Sequence, residues 1–184
     1  MKHSLPIALL LAALVHPTFA QDVPKPGAEH QKLAARAGTW NAVVEMMGED
    51  GTPSKSKATS VVKVACGGLW LLDEFHGEMM GMKFEGHGTT GYDPAKGKYV
   101  GTWIDSWSTS VMSLEGSYDK DGKVLTMSGM APGMDGKPTL HRMTTTHKDA
   151  NTDVFEMFMP GPDGKEMKIL TITYTRSTEK SGAK

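Results

Sequence analysis

The chain has 184 residues, 39% of them hydrophobic and 22% charged, which is enough for one domain with its own core and excludes both a disordered acidic tail and a membrane-embedded protein. A formal net charge of −1 provides no basic field for phosphate backbones, so nucleic acid is not an expected partner. The 21 Gly and 10 Pro, set among runs rich in Thr and Val, point to short strands and many turns rather than a helical bundle.

Residues 1–20 carry Lys2, an apolar run from Leu5 to Val15, and Thr18-Phe19-Ala20 ahead of the polar Gln21. That is the pattern of a secretory signal peptide, and the run is far short of the roughly 20 apolar residues that span a bilayer. The mature protein is therefore expected to be periplasmic or secreted, with no transmembrane segment. Residues 21–27 form a loose segment containing Pro24 and Pro26. The stretch Ala28 to Ala37 lacks β-branched residues and is followed by Gly38, so a short helix is expected there.

From Thr39 onward the helical period is lost. Strands are expected near Thr39–Met47, Lys57–Val64, Leu69–Gly77, Lys83–Tyr92, Lys98–Ser106, Ser110–Tyr118, Lys123–Met130, Pro138–His147, Asp153–Met159 and Glu166–Arg176. Turn chemistry punctuates them at Asp93-Pro94-Ala95-Lys96-Gly97, Asp119-Lys120-Asp121-Gly122, Asp135-Gly136 and Pro162-Asp163-Gly164. Consecutive hairpins make a meander, and about ten strands escape two long exposed edges by closing. The expected fold is all-β: a single antiparallel up-and-down β-barrel over residues 28–176 with a short N-terminal helix, a two-sheet sandwich being the alternative. Residues 177–184 should fray. Alternation places Trp40, Ala42, Val44 and Met46 on one inward face and Leu170, Ile172 and Tyr174 on another.

A short helix followed by Gly38-Thr39-Trp40, with a last strand ending Thr173-Tyr174-Thr175-Arg176, resembles the calycin pattern of lipocalins. That resemblance implies that Trp40 plugs one end of the barrel and that Arg176 lies across it. Gly67-Gly68-Leu69-Trp70, Gly91-Tyr92-Asp93-Pro94, Tyr99-Val100-Gly101-Thr102, Leu114-Glu115-Gly116-Ser117 and Leu125-Thr126 extend the likeness. With them the chain resembles a secreted bacterial family known only as domain of unknown function 1579, of calycin-like barrels. One departure is the loop Gly48-Glu49-Asp50-Gly51-Thr52-Pro53, where relatives carry Pro-Gly. The resemblance implies a fold and supplies no reaction.

Candidate functional residues come from chemistry. Trp103 and Asp105 share a strand face, setting a flat apolar surface beside an acceptor, and Glu115 and Arg142 either complete that polar set or pair with each other. These four are the expected lumen-lining residues for a small apolar or amphipathic ligand. Methionine, at 14 residues, is over-represented, and Met79, Met80 and Met82 form its densest cluster. Adaptable packing is the expected role, with soft-metal (copper) handling beside His76 and His87 as the alternative. His141 and His147 lie about 20 Å apart along one strand and cannot share an ion. The lone Cys66 is expected to be buried, a reactive thiol being the sharper alternative.

Asp73 and Glu74 point to opposite faces, so they form no acid/base pair. Gly-x-Ser-x-Gly, a phosphate-cradling loop and His-Glu-x-x-His are absent from the sequence, so no catalytic residue is assigned. No cofactor and no metal site are expected. The leading expectation is a non-enzymatic ligand-binding barrel. A protein–protein interaction module acting through its outer surface, including a homodimer, is the second, and an enzyme the third.

Overall fold

Ten strands of alternating pattern, each joined to the next by a short turn, pair here only with their neighbours in sequence, and the first pairs with the last. The computed structural model describes residues 23–47, 52–133 and 135–178. The leader at 1–20, most of the β1–β2 loop at 48–51 and most of the C-terminal tail lie outside them. A helix, α1 (Ala28–Ala34), precedes β1 (Gly38–Met47), β2 (Pro53–Ala65), β3 (Trp70–Met79), β4 (Met82–Asp93) and β5 (Lys98–Asp105). The chain continues through β6 (Met112–Tyr118), β7 (Val124–Pro132), β8 (Pro138–His147), β9 (Thr152–Pro160) and β10 (Glu166–Arg176). The result is a closed antiparallel up-and-down barrel, as the meander required. The sandwich alternative is excluded by the β1–β10 pairing, in which Trp40 stands opposite Arg176 and Met46 opposite Leu170.

The helix is shorter than its composition suggested. After Ala34 the chain tightens, with Arg36 and Ala37 donating to the carbonyls of Leu33 and Ala34. At its start the Gly27 amide donates to His30 Nδ1 at 3.1 Å, a cap supplied by a histidine. The helix packs on β3 and β4 and buries His30 and Leu33.

Below it, Leu33, Trp40, Val62, Leu71, Tyr99, Leu125 and Met127 make one core cluster. An edge-to-face series of rings runs through that end, with centroids 5.1 Å apart for Tyr92–Tyr99 and 5.0 Å for Tyr99–Tyr118. A second cluster of Ala42, Val44, Ala58, Phe75, Met79 and Ile172 fills the barrel further toward the other end.

Trp40 has no exposed surface. The Cζ atoms of Arg36 and Arg176 lie 4.1 and 4.2 Å from its ring. Its Nε1 donates to the Arg36 carbonyl at 3.0 Å. Arg176 also donates to the carbonyls of Ala37 (2.7 Å), Ala35 (3.0 Å) and Ala150 (3.2 Å), fastening the helix exit to the last strand. Gly38, at φ +140°, makes room for this: a Cβ there would stand 2.5 Å from Arg176 Nη1.

Cys66 departs from expectation, because it is exposed rather than buried. It sits in the short turn between β2 and β3 with φ 49°, where the chain reverses outside the barrel wall. The β3–β4 hairpin turns on Met80 (φ 52°) and Gly81 (φ 77°), the two-residue pattern that favours Asn-Gly.

Replacing Trp40 by Ala should cost about 3–5 kcal/mol in urea unfolding, as for other buried aromatics; unchanged stability would show that the closed end does not depend on the indole. Met80→Asn should raise stability by about 0.5–1 kcal/mol by relieving a left-handed conformation, and a loss would show that the methionine makes contacts worth more than that strain.

Candidate functional site: the barrel lumen

The inward faces do not fill the barrel. A cavity of about 350 Å³ runs along its interior, walled mostly by apolar side chains. On the helix side it is floored by Leu33, Arg36, Val62, Leu71, Tyr118, Leu125, His147 and Tyr174. Toward the other end it is lined by Met46, Met79, Phe84, Trp107, Met112 and Met157. A register shift between Lys168 and Leu170 bulges β10, so both Ile169 and Leu170 line the lumen.

The floor is polar, and its groups are linked to one another. Asp153 is fully buried and forms an ion pair with Arg36. Its Oδ1 lies 2.8 Å from His147 Nδ1, and His147 Nε2 lies 2.7 Å from the Tyr118 hydroxyl. A carboxylate at Nδ1 makes that nitrogen the donor, so Nε2 accepts from Tyr118. Burial, then the charges of Arg36 and Lys32, pulls the His147 pKa down to about 4, so the imidazole is neutral. Burial also pushes the Tyr118 phenol up to about 12 and raises Tyr174. Arg36 is lowered by burial to about 10 and keeps its charge at neutral pH.

Beside this relay Ser60, almost fully buried, donates to Asp73 Oδ1 at 2.6 Å. Burial raises the Asp73 carboxyl against the lowering effects of that hydrogen bond and of Arg36. Its neighbour Glu74 faces outward to Lys63 at 3.0 Å, as strand alternation requires.

Of the four lumen residues expected from the sequence, two line the cavity and two do not. Trp103 lies flat against Gly86 and Gly88, where an added Cβ would stand 2.3 and 3.1 Å from its ring. Its Nε1 donates to Asp105 Oδ2 at 2.9 Å, while Asp105 Oδ1 accepts from the Trp107 amide at 2.9 Å. Asp105 thus fixes the β5–β6 loop.

Glu115 and Arg142 form no pair with each other and stand outside the cavity, which corrects their expected placement. Glu115 pairs with Lys96 at 2.8 Å, and Arg142 makes a two-pronged bond to Glu166 at 2.6 and 2.5 Å while covering the Phe158 ring. Both are at outward positions, where a long charged side chain covers apolar wall and keeps its head in water.

His76 and His87 do approach across the β3–β4 hairpin, with ring centroids 6.1 Å apart. The methionines do not gather beside them: Met79 turns into the lumen, while Met80 and Met82 are exposed. No group of three or more His, Cys, Asp or Glu is placed to hold a metal ion among the described residues.

Sequence reasoning passed over Arg36, Ser60, Tyr118 and Asp153 and weighed Asp73 and His147 only as an acid/base pair and an ion site, yet these six compose the polar floor. Strand parity was the available signal, since His147 continues the inward series of His141, Met143 and Thr145.

A closed ten-strand antiparallel barrel, capped by a helix at one end and hollow inside, is a calycin-like fold. The chain belongs to the family described as "Protein of unknown function (DUF1579)", whose model matches residues 25–176. Among solved structures it is similar to Rv2717c from M. tuberculosis, with TM-score 0.63 and 13% identity over 82% of this chain and 98% of that one. It is also similar to the S-type phycobiliprotein lyase CpeS from Guillardia theta, with TM-score 0.55 and 10% identity over 84% of this chain and 100% of that one. At these identities the likeness is one of fold. No curated protein matches the chain in sequence. Among the described residues no helix is long and apolar enough to cross a membrane.

The floor makes stability depend on pH. Above pH 6.5 His147 is neutral whether folded or unfolded; as pH falls from 6.5 toward 4 the unfolded chain takes the proton first, and stability is lost. Asp73 acts oppositely, because its raised folded pKa returns stability as pH falls toward 3.8. Urea midpoints at pH 7.5 and 4.5 should therefore fall further for the wild type than for His147→Gln, and parallel slopes would show that His147 is not held neutral.

Proposed function

We propose that the mature chain is a periplasmic or secreted binding protein that holds a small, partly apolar molecule in its lumen. The observation that carries this reading is the cavity itself. Its volume of about 350 Å³ is within the usual ligand-pocket range, roughly 300–1,000 Å³, and its apolar walls end on a few convergent polar groups. Such walls supply affinity by removing apolar surface from water, and the floor supplies orientation. The leader pattern supports a location outside the cytoplasm, and the lyase neighbour supports a small-molecule occupant.

Native mass spectrometry of protein purified from its own source should reveal a retained small molecule. Leu114→Trp, which places an indole in the cavity, should remove it without loss of fold. A ligand that persists with the cavity filled would place binding elsewhere.

A second reading, an interaction surface between copies of this chain, is favoured by the exposed Met47, Met82, Ile104, Val111, Met130 and Leu140 at the end opposite the helix. A monomer at high micromolar concentration in sedimentation would remove it.

A further inference from the structure

The lumen's charges are unequal in their commitments. Arg36, the cation that lines it, is held by the fully buried Asp153 and stacked on Trp40 at 4.1 Å. Among the lining acids, Asp105 uses both oxygens on Trp103 and Trp107 of its own loop. Asp73 is different. It stands at the floor on β3, bonded through Oδ1 to Ser60, with no ion-pair partner among the described residues. Burial disfavours its charged form, the condition of a carboxylate that gains most from an arriving cation.

The walls around it are aromatic. Because residue 88 is a glycine, the Trp103 ring reaches the same spot: a Cβ on Gly88 would stand 3.1 Å from that ring and 3.6 Å from the Asp73 Cβ. Phe75 and Tyr174 line the same lumen, their rings edge to face at 6.4 Å. A carboxylate beside an indole, in a lumen also lined by phenol and phenyl rings, is the chemistry that recognises an ammonium group, through a charge-assisted hydrogen bond and cation–π attraction together.

We propose that the lumen selects amphipathic cations: molecules with an apolar body and a protonated amine whose head reaches Asp73 at the floor. This rests on the lumen-binding reading above and names its ligand class. The apolar body would lie along Trp103 and Phe84 toward the end opposite the helix. An anionic head is disfavoured, since it would have to displace Asp153 from Arg36 while facing Asp73.

The test holds the apolar body constant and changes the head. The full mature chain is titrated at neutral pH with octylamine, octanol and octanoate, followed by calorimetry and tryptophan fluorescence. Octylamine should bind about tenfold or more tightly than octanol, and octanoate most weakly. Asp73→Asn, nearly isosteric and checked for fold by circular dichroism, should bring octylamine down to the octanol level and leave octanol unchanged. Octanoate binding as tightly as octylamine, or an unaltered octylamine affinity in the folded variant, overturns the proposal and leaves lumen binding intact. Failure of all three compounds to bind overturns both. The wild-type ranking decides the matter even where the variant does not fold.

Discussion

An indole with no exposed surface, held against two guanidinium groups, shuts one end of this barrel. Trp40 lies where the first strand meets the last, so its burial and the closure of the sheet are a single event. Each cation–π contact is worth roughly 0.5–2 kcal/mol, less than the burial of the ring itself. The arginines matter as much for what they tie together. Arg176 satisfies carbonyls beyond the end of α1, and Arg36 carries charge into the floor, where Asp153 balances it. Lysine could not reproduce this, because only a planar guanidinium can stack and donate in several directions at once.

That balance allows the interior to be polar at one end. A fully buried Asp153 would be costly alone, but it is bonded to His147 and paired with Arg36. Tyr118 closes the series by donating to the histidine. Each group's state is set by its neighbour: the carboxylate fixes the imidazole tautomer, and burial beside Arg36 keeps that imidazole neutral. Removing one member would strand the others without partners, a cost of about 1–3 kcal/mol for each neutral group and more for a charge. The floor is therefore a set of mutually dependent groups rather than a collection of independent ones.

The hollow follows from strand number. Eight strands make a barrel that side chains can just fill, and ten make a wider one. Here the helix plugs one end, while glycines at 86 and 88 let Trp103 lie flat along the wall. Methionine lines much of the remaining surface, with Met46, Met79, Met112, Met127, Met143 and Met157 facing the cavity. Unbranched thioethers adapt to irregular shapes, which suits the wall of a hollow barrel.

The strand count, the hairpin order and the inward faces of β1 and β10 were legible in the sequence, because side-chain alternation and turn residues are local properties that survive into the fold. The Trp40–Arg176 pairing was legible through family likeness, and strand closure explains why those positions meet. The polar floor was not legible. Asp73, Asp153 and Arg36 are ordinary charged residues in sequence, and what makes them a site is that strands far apart in the chain bring them to one level of a closed barrel. Glu115 and Arg142 failed as lumen residues for the converse reason. A charged residue within an apolar run can face either way, and only the pairing with Lys96 on one side and Glu166 on the other settled that both point outward. Cys66 was misread because burial was inferred from chemistry, whereas its exposure comes from a left-handed turn that leaves the wall. Periodicity thus determined the barrel, and closure, which sets distances between residues remote in sequence, decided what lies inside it.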